Sequence, residues 1–563
     1  MSKQLIECVP NISEGKDMAK IKAIASQVET VDGVKLLDID PGQATNRTVI
    51  TFVGQPEKVV EAAFRLIAKA KELIDMRTHK GEHPRFGATD VCPLVPVSGI
   101  SMEETAGWAR KLGKRVGEEL HIPVYLYENA ATEEKRRNLA NVRKGEYEGL
   151  RDKLQDPGWK PDFGPSEWNE EVARSGAVAI GARDFLVAYN VNLNTTSTRR
   201  ANAIAFDIRE AGRVKRKGNP LTGEIVRDEK GNPVRIPGKF KGVKGIGWYI
   251  EEYGIAQVSY NITDINKAPV HLVFDETVKA ADKRGVRVTG SEIIGLVPKK
   301  VLIDAADYFL RKQQRSLGIP EKEKIKIAVK SLGLDDLKPF DPKEKIIEYR
   351  LEENKNRLID KTLEDFADET ASESPAPGGG SVSAYIAALG AALGTMVANL
   401  SSHKRGWDER WEFFSGWASK GEAYKQRLLQ LVDEDTQAFN NILQAFRMPK
   451  NTAEEKEARM RAIEEATLYA TQVPLKVMQT AYEAMEVPEA MAREGLPASI
   501  SDAAVGAMAL RTGVYGAYFN VLINARSLKN TEAAGNLIAE AENILQATFE
   551  REQKIVELAR EKM

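Results

Sequence analysis

The chain has 563 residues, 42% of them apolar and 29% charged, with a formal net charge of -1. That length exceeds one hydrophobic core, so several domains are expected, and the balanced charge excludes a global pull toward nucleic acid or an anionic membrane. Two cysteines, Cys8 and Cys92, are too few for a disulfide framework, and the polar start "MSKQLIECVPNISEGK" lacks the apolar stretch of a secretion signal, so a cytoplasmic protein with reduced thiols is expected.

In chain order, "QLIECV" predicts a strand and residues 16–29 a helix. "VKLLDID" and "RTVITFV" predict strands, "PEKVVEAAFRLIAKAKEL" an amphipathic helix, and "DVCPLVPV" a further strand. The order βαββαβ is a split βαβ unit, extended by a helix over 101–119 and the strand "IPVYLY". The pattern then repeats: "DFLVAYNVNL", "STRRANAIAFDIREAG", "GIGWYIEEY" with "AQVSYNI", "PVHLVFDETVKAADKRG" and "SEIIGLVP". A polar insertion at about 214–235, rich in Gly, Asn and Pro, reads as a surface hairpin. From Thr362 onward the spacing is helical. The fold class is therefore two tandem α/β (βαββαβ, split-βαβ-like) subdomains, 1–182 and 183–350, then a linker at 351–358 and an all-α helical bundle at 359–563. Residues 375–402 carry no charge and are long enough to span a membrane, but their Ala, Gly, Ser and Thr content predicts a closely packed bundle helix instead.

The stretch "THKGEHPRFGATDVCPLVPV" gathers two of the five histidines, His79 and His83, with Cys92. Three readings stand. A metal pair at this spacing needs a helix, which Gly81 and Pro84 oppose, and the distance to Cys92 matches no zinc pattern. A hydrogen-bonded loop histidine is the plain structural reading. A catalytic imidazole needs a rigid loop and a near-neutral pKa; Pro84 stiffens the loop, while Lys80 and Arg85 are placed to hold substrate carboxylates.

In the helical half, Gly378, Gly379 and Gly380 precede a helix start. They either expose backbone N–H groups to a polar ligand or make a tight turn with Ser381 as cap. Over 428–446, with Leu428 at 0°, Val432 falls at about 40°, Phe439 at about 20°, Ile442 at about -40° and Phe446 at about 0°. Asp435 lies at about -20°, inside that apolar stripe, while Asp433 and Glu434 point away. A carboxylate there is either paired with a cation or used for proton transfer, with burial raising its pKa. Over 501–526, Asp502, Gly506, Ala509, Gly513, Gly516, Asn520 and Asn524 share one face of a continuous helix, suited to a flat polar ligand or to close helix contact.

"ECVPNISEG", "ATNRTVITFVG", "HKGEHPRFGATDVCPLVPV", "PVYLYENAA", "PDFGPS", "GARDFLVAYNVNLNT" and "KGIGWYIEEYGIAQVSYN" resemble the formiminotransferase family. "APGGGSVSAYIAALGAALGTMVANL", "LVDEDTQAF", "PKNT" and "GVYGAYFNVLIN" resemble the cyclodeaminase family that accompanies it. The resemblance runs in register over nearly the whole chain. It implies transfer of a formimino group from formiminoglutamate to tetrahydrofolate, polyglutamated or not, followed by closure to methenyltetrahydrofolate with loss of ammonia. It implies no metal, nucleic acid or membrane, and a homo-oligomer. By the resemblance, the catalytic histidine of "GEHPR" is His83, and the second aspartate of "LVDxD" is Asp435, the residue that periodicity also selects. Folate contacts map to Gly164, Pro165 and Ser166, after which the chain departs from the family, and to Gly238 beside the insertion. Two alternatives differ in class: an enzyme limited to formyl-folate cyclisation or methenyl hydrolysis, and a folate-binding scaffold without catalysis.

Overall fold

The computed structural model describes residues 4–43, 46–80, 85–219, 222–352 and 357–563. The chain divides into two compact units, Met1–Asp304 with Val329–Glu353, and Ala305–Ala328 with Asn354–Met563.

In the first unit, strands β1 (Leu5–Cys8), β2 (Asn11–Ile12), β3 (Val34–Gly42), β4 (Arg47–Gly54), β5 (Thr89–Ser98), β6 (Val124–Glu128) and β7 (Val178–Ala182) form one sheet. β1 lies between β4 and β5, antiparallel to both, and β3 pairs with β4. Beyond β5 the sheet turns parallel, through β7 to β6. Helices α1 (Met18–Glu29), α2 (Pro56–Leu73) and α3 (Met102–Glu119) cover one face. Each has a local reason to begin where it does: Asp17 caps α1, Pro56 pre-sets the first turn of α2, and Ser101 and Glu104 form a capping box on α3. The apolar stripe Val59, Ala63, Leu66, Ile67 and Ala70 is sealed against the sheet. Strand β7 is absent from the sequence reading because "VAIGA" is short, small and buried on both faces, so it shows no alternation.

The second subdomain repeats the connectivity. Strand β8 (Val187–Leu193) is followed by α4 (Thr198–Ile208), the short pair β9 (Arg213–Val214) and β10 (Arg235–Ile236), β11 (Val243–Ile250), β12 (Ile255–Ile262), α5 (Val270–Asp282) and β13 (Val288–Ile294). The order β11-β12-β8-β13 is the counterpart of β3-β4-β1-β5, so both subdomains are split βαβ units. The expected contiguous span 183–350 is interrupted, however. Residues 305–328, shared by helices α6 (Lys299–Lys312) and α7 (Glu321–Leu332), belong to the helical unit. There the Leu317 N–H donates to Ser415 Oγ at 2.9 Å, the Asn399 amide donates to the Gly318 carbonyl at 2.8 Å, and a side chain at 318 would collide with Ala418.

The insertion forms the expected hairpin: β9 pairs with β10, with outer bridges Arg216 to Ile225 and Arg227 to Pro233. No described residue between 216 and 234 is buried. Replacing 216–234 by an Asn-Gly turn is therefore expected to leave the melting temperature unchanged, as for surface insertions generally. If the hairpin covers the folate cleft, the Michaelis constant for tetrahydrofolate rises as well; a drop in melting temperature would place the hairpin in the core instead.

In the helical unit, α8 (Leu363–Ala371) leads to α9 (Gly379–Ser402), α10 (Trp411–Phe446), α11 (Ala453–Ala484), α12 (Glu486–Glu494), α13 (Ile500–Ala525) and α14 (Thr531–Lys562). α9 is long and apolar enough to cross a membrane, yet 61% of its apolar window is buried against the bundle. α13 runs unbroken through its glycines because they admit α9: added side chains at Gly506 and Gly513 would strike the Gly390 carbonyl and Ala387, and one at Gly516 would strike Ser383. The stripe on α10 differs from expectation. Its core side is Leu428, Leu431, Val432, Ala438 and Ala445, while Phe439 and Phe446 are 36% and 52% exposed. Asp435 thus sits at the margin of the buried face, partly buried, rather than at its centre.

Candidate active sites

His83 lies outside the described residues, and the loop that carries it is defined by its flanks. His79 Nε2 contacts the Asn46 carbonyl at 3.0 Å, the Asn46 amide donates to the Lys80 carbonyl at 2.8 Å, and the Tyr147 N–H donates to the Arg85 carbonyl at 2.9 Å. Burial pushes His79 below the ordinary histidine pKa, so at neutral pH it is an uncharged loop anchor. Lys80 is exposed. Arg85 is committed elsewhere: its guanidinium grips Glu148 at 2.5 Å, with Glu146 at 3.9 Å, so the expected carboxylate holder is already paired within the chain. Cys92 is no companion to the histidines. It faces the helix side of the sheet, fully buried, with its sulfur 3.5 Å from that of Cys8.

The opposite face of the sheet holds residues that the motif reading missed. A register slip of β5 against Asn11 and Ile12 marks a bulge at Asp90, and bulges re-aim side chains in this way. Asp90, 1% exposed, accepts from Arg143 Nη1 at 2.6 Å and pairs with Arg47 at 3.7 Å; among the described residues its Oδ1 has no hydrogen-bond partner. Arg47 also donates to Asn11 Oδ1 at 2.9 Å, and burial lowers its pKa to about 10, against the pull of Asp90. Further along, burial raises Glu7 to about 7, opposed by Arg183. Two partly buried guanidiniums meet at one carboxylate there. The available signal was alternation: Glu7 interrupts "LIEC" at a position facing away from Ile6 and Cys8.

Gly164 lies at the sheet end where β5, β6 and β7 all begin, with two strand spacings, about 10 Å, between β5 and β6. Its φ of +83° and the nearby Ile122 carbonyl and Gly117 require glycine. Pro165 is half-buried and Ser166 exposed. Gly238 is held within the second subdomain: a side chain there would strike the Arg209 carbonyl, and Lys239 N–H donates to Asp207 at 2.8 Å.

The second site forms where α9, α10 and α13 meet. Asp435 Oδ2 accepts from Ser381 Oγ at 2.9 Å, and Ser381 Oγ lies 3.1 Å from Thr436 Oγ1. Burial raises the Asp435 pKa, and hydrogen bonds from the Ser381 hydroxyl and backbone oppose the rise. Among the described residues Asp435 has no cation partner. A Cβ at Gly380 would lie 2.6 Å from Asp435 Oδ2. Gly379 faces Asn520, whose Nδ2 donates to the Gly516 carbonyl at 2.9 Å. The structure thus brings Gly379, Gly380, Asp435 and Asn520 together, with Gly378 at the helix cap and nothing nearer a side chain there than the Pro375 carbonyl at 4.0 Å.

Two expectations fail here. Asp502 sits 18 residues before Asn520 on one straight helix, about 27 Å away, so the two cannot share this pocket within one chain. Asn524 is turned to the Ala470 carbonyl, 2.7 Å away. Asp433 is not a free surface group either: its Oδ1 accepts the Leu358 N–H at 2.7 Å, tying the incoming chain to α10, and burial raises its pKa. Glu434 is held by Tyr469 and Lys476 at 3.0 and 2.9 Å. Gly380→Ala is expected to displace Asp435 and lower ammonia release by about 10²-fold, the cost of an ångström of misplacement. Formimino transfer, measured as glutamate release, should be untouched; parent-level ammonia release would show that the carboxylate has another place to sit.

Three family profiles match the chain: formiminotransferase domain, N-terminal subdomain, over 5–183; formiminotransferase domain over 188–352; and formiminotransferase-cyclodeaminase over 362–543. The formimidoyltransferase-cyclodeaminase of Mus musculus is 44% identical over 527 residues, 93% of each chain. A glutamate formimidoyltransferase of Thermoplasma acidophilum is 43% identical over 309 residues, 54% of this chain and 92% of that one. A methenyltetrahydrofolate cyclohydrolase of Methylorubrum extorquens is 35% identical over 202 residues, 36% of this chain and 97% of that one.

Proposed function

The chain belongs to the formiminotransferase-cyclodeaminase family, and from that premise we propose that its two units carry out two successive folate reactions. In the α/β unit, a tetrahydrofolate nitrogen attacks the amidine carbon of formiminoglutamate and glutamate leaves as the amine. His83 takes the proton from the attacking nitrogen and returns it to the leaving one, a shuttle that needs a group titrating near neutrality. Lys80, exposed at the loop, holds a substrate carboxylate, while Arg85 is engaged by Glu148.

In the helical unit, the second folate nitrogen attacks the formimino carbon, the new ring bond forms and the carbon–nitrogen bond to ammonia breaks. The proton lost by the attacking nitrogen is the one ammonia gains, and Asp435 carries it. The supporting observation is the Asp435 carboxylate, raised in pKa by burial, bonded among the described residues to hydroxyl and backbone donors alone, and seated against Gly380. The co-substrate is tetrahydrofolate, with a polyglutamate tail accepted, and neither reaction calls for a metal. Supplying formiminoglutamate and tetrahydrofolate while following methenyl-folate absorbance and ammonia tests the whole reading. Turnover of formyl- or methenyl-folate alone would select the narrower enzyme, and no turnover the scaffold.

The protein is further proposed to be a cytoplasmic homo-oligomer. Its two cysteines are free thiols. Leu389, Met396 and Leu400 on α9 and Val505, Phe519 and Ile523 on α13 are exposed, Ile523 by 66%. Apolar side chains at such helical spacing are seldom left to water, and a second copy would cover them. Light scattering on the intact protein reads the assembly.

A further inference from the structure

The hydroxyl chain beneath Asp435 has a direction. Ser381 has one hydroxyl proton, and it is donated to Asp435 Oδ2 at 2.9 Å. In the 3.1 Å contact between Ser381 Oγ and Thr436 Oγ1, Thr436 must therefore be the donor. Two hydroxyl groups point in series at one carboxylate oxygen. Ser381 is fully buried, and its backbone N–H adds a further bond to the same carboxylate. We infer that Ser381, backed by Thr436, is the positioning residue that aims Asp435: it occupies Oδ2 as a fixed donor and so holds the carboxyl group in one orientation for the proton it carries in ring closure. The inference rests on the reading of Asp435 as the proton carrier.

The surroundings leave this pair to set the carboxylate. On its own helix, Asp433 is bound by the Leu358 N–H, and Glu434 by Lys476, Tyr469 and Arg427. The facing helix α9 has a single ionisable side chain, Tyr385, which stacks near Phe366 with ring centroids 5.2 Å apart. α13 presents the neutral Asn520 beside Gly379, and α11 sends Lys476 and Tyr469 to Glu434. The Ser381 bond also opposes the rise in pKa that burial causes, so its loss moves the titration upward.

The test uses the full chain, supplied with 5-formiminotetrahydrofolate, and follows ammonia release against pH. Ser381→Ala is expected to lower kcat by about 10- to 100-fold, the worth of a hydrogen bond to a charged group. It should also move the limb set by Asp435 to higher pH, with the Michaelis constant within about twofold of the parent. Thr436→Val, of the same shape without the hydroxyl, should shift the limb in the same direction by less, and Thr436→Ser should restore the parent profile. A merely structural role would change melting temperature and leave the pH profile in place. If Ser381→Ala does not fold, Thr436→Val still reads the chain. Parent-like profiles in both, beside an inactive Asp435→Asn, overturn this inference alone. An Asp435→Asn protein that releases ammonia at the parent rate overturns the reading beneath it.

Discussion

Asp435→Asn is expected to abolish ammonia release while glutamate release continues at the parent rate, so that formimino-folate accumulates. Ammonia leaves an amidine carbon only as the protonated amine, and the carboxyl group of Asp435 is the proton carrier beside it. Asparagine keeps the shape and still accepts from Ser381, but it cannot exchange a proton at neutral pH. The stability consequence separates this from a structural role. Were Asp435 the partner of a buried cation, the amide would strand that charge at a cost of about 3–5 kcal/mol. Its partners are a serine hydroxyl and a backbone N–H instead. Because the folded pKa is raised, Asp435 favours the fold below its unfolded pKa of about 3.9 and loses that contribution as pH rises through the folded value. At neutral pH the neutral asparagine should therefore melt no earlier than the parent. A stable variant that still releases ammonia would sink the assignment; an unstable one would restore the ion-pair reading.

The fold was legible where one physical pattern dominates a segment. Both βαββαβ units follow from alternation and helical period, because each element buries one face and turns the other outward. What stayed hidden needed neighbours. Strand β7 is buried on both sides and carries no alternation. Residues 305–328 look like a continuation of the second subdomain, and contacts such as the approach of Gly318 to Ala418 and the bond from Leu317 to Ser415 assign them to the helical unit. Ideal angles misplaced the stripe on α10: Ala438 and Ala445 are buried beside exposed Phe439 and Phe446, so the buried side is turned away from the two aromatic rings.

The sites show the same division. Asp435 was visible because a carboxylate beside an apolar stripe violates a local rule, and such violations cluster at functional positions. Asp433, two residues away, points away from the stripe as expected, but its partner is the backbone of Leu358, 75 residues earlier, which no local pattern reveals. Arg47, Asp90 and Arg143 come from three separate segments and meet through a bulge that no periodicity encodes. Arg85 illustrates the converse: a basic residue beside a motif histidine invites a substrate role, yet Glu148 already occupies its guanidinium. Asp502 and Asn520 share a helical face as expected, but a face has length as well as direction.

His83→Ala is expected to lower formimino transfer by about 10²- to 10⁴-fold, the range for one general acid–base group. Cyclodeamination of supplied formimino-folate should persist, because Asp435 and Ser381 lie in the other compact unit. His79→Ala is the informative comparison. The Nε2 of His79 is bound to the Asn46 carbonyl at 3.0 Å and its imidazole is held below the usual pKa by burial. Its loss removes one loop bond, worth about 1 kcal/mol, and should cost less than about tenfold in rate. Added imidazole should restore part of the rate in His83→Ala, since a free base can enter the space left by the side chain, and should do nothing for His79→Ala. The metal reading makes the opposite forecast: two ligands of one ion are lost with equal effect, and imidazole rescues both or neither. Equal losses at the two positions, together with a stoichiometric metal in the purified protein, would replace the proton shuttle with a metal centre. A deep loss confined to His83 and relieved by imidazole assigns the shuttle to one ring, with His79 as the anchor that keeps its loop in place.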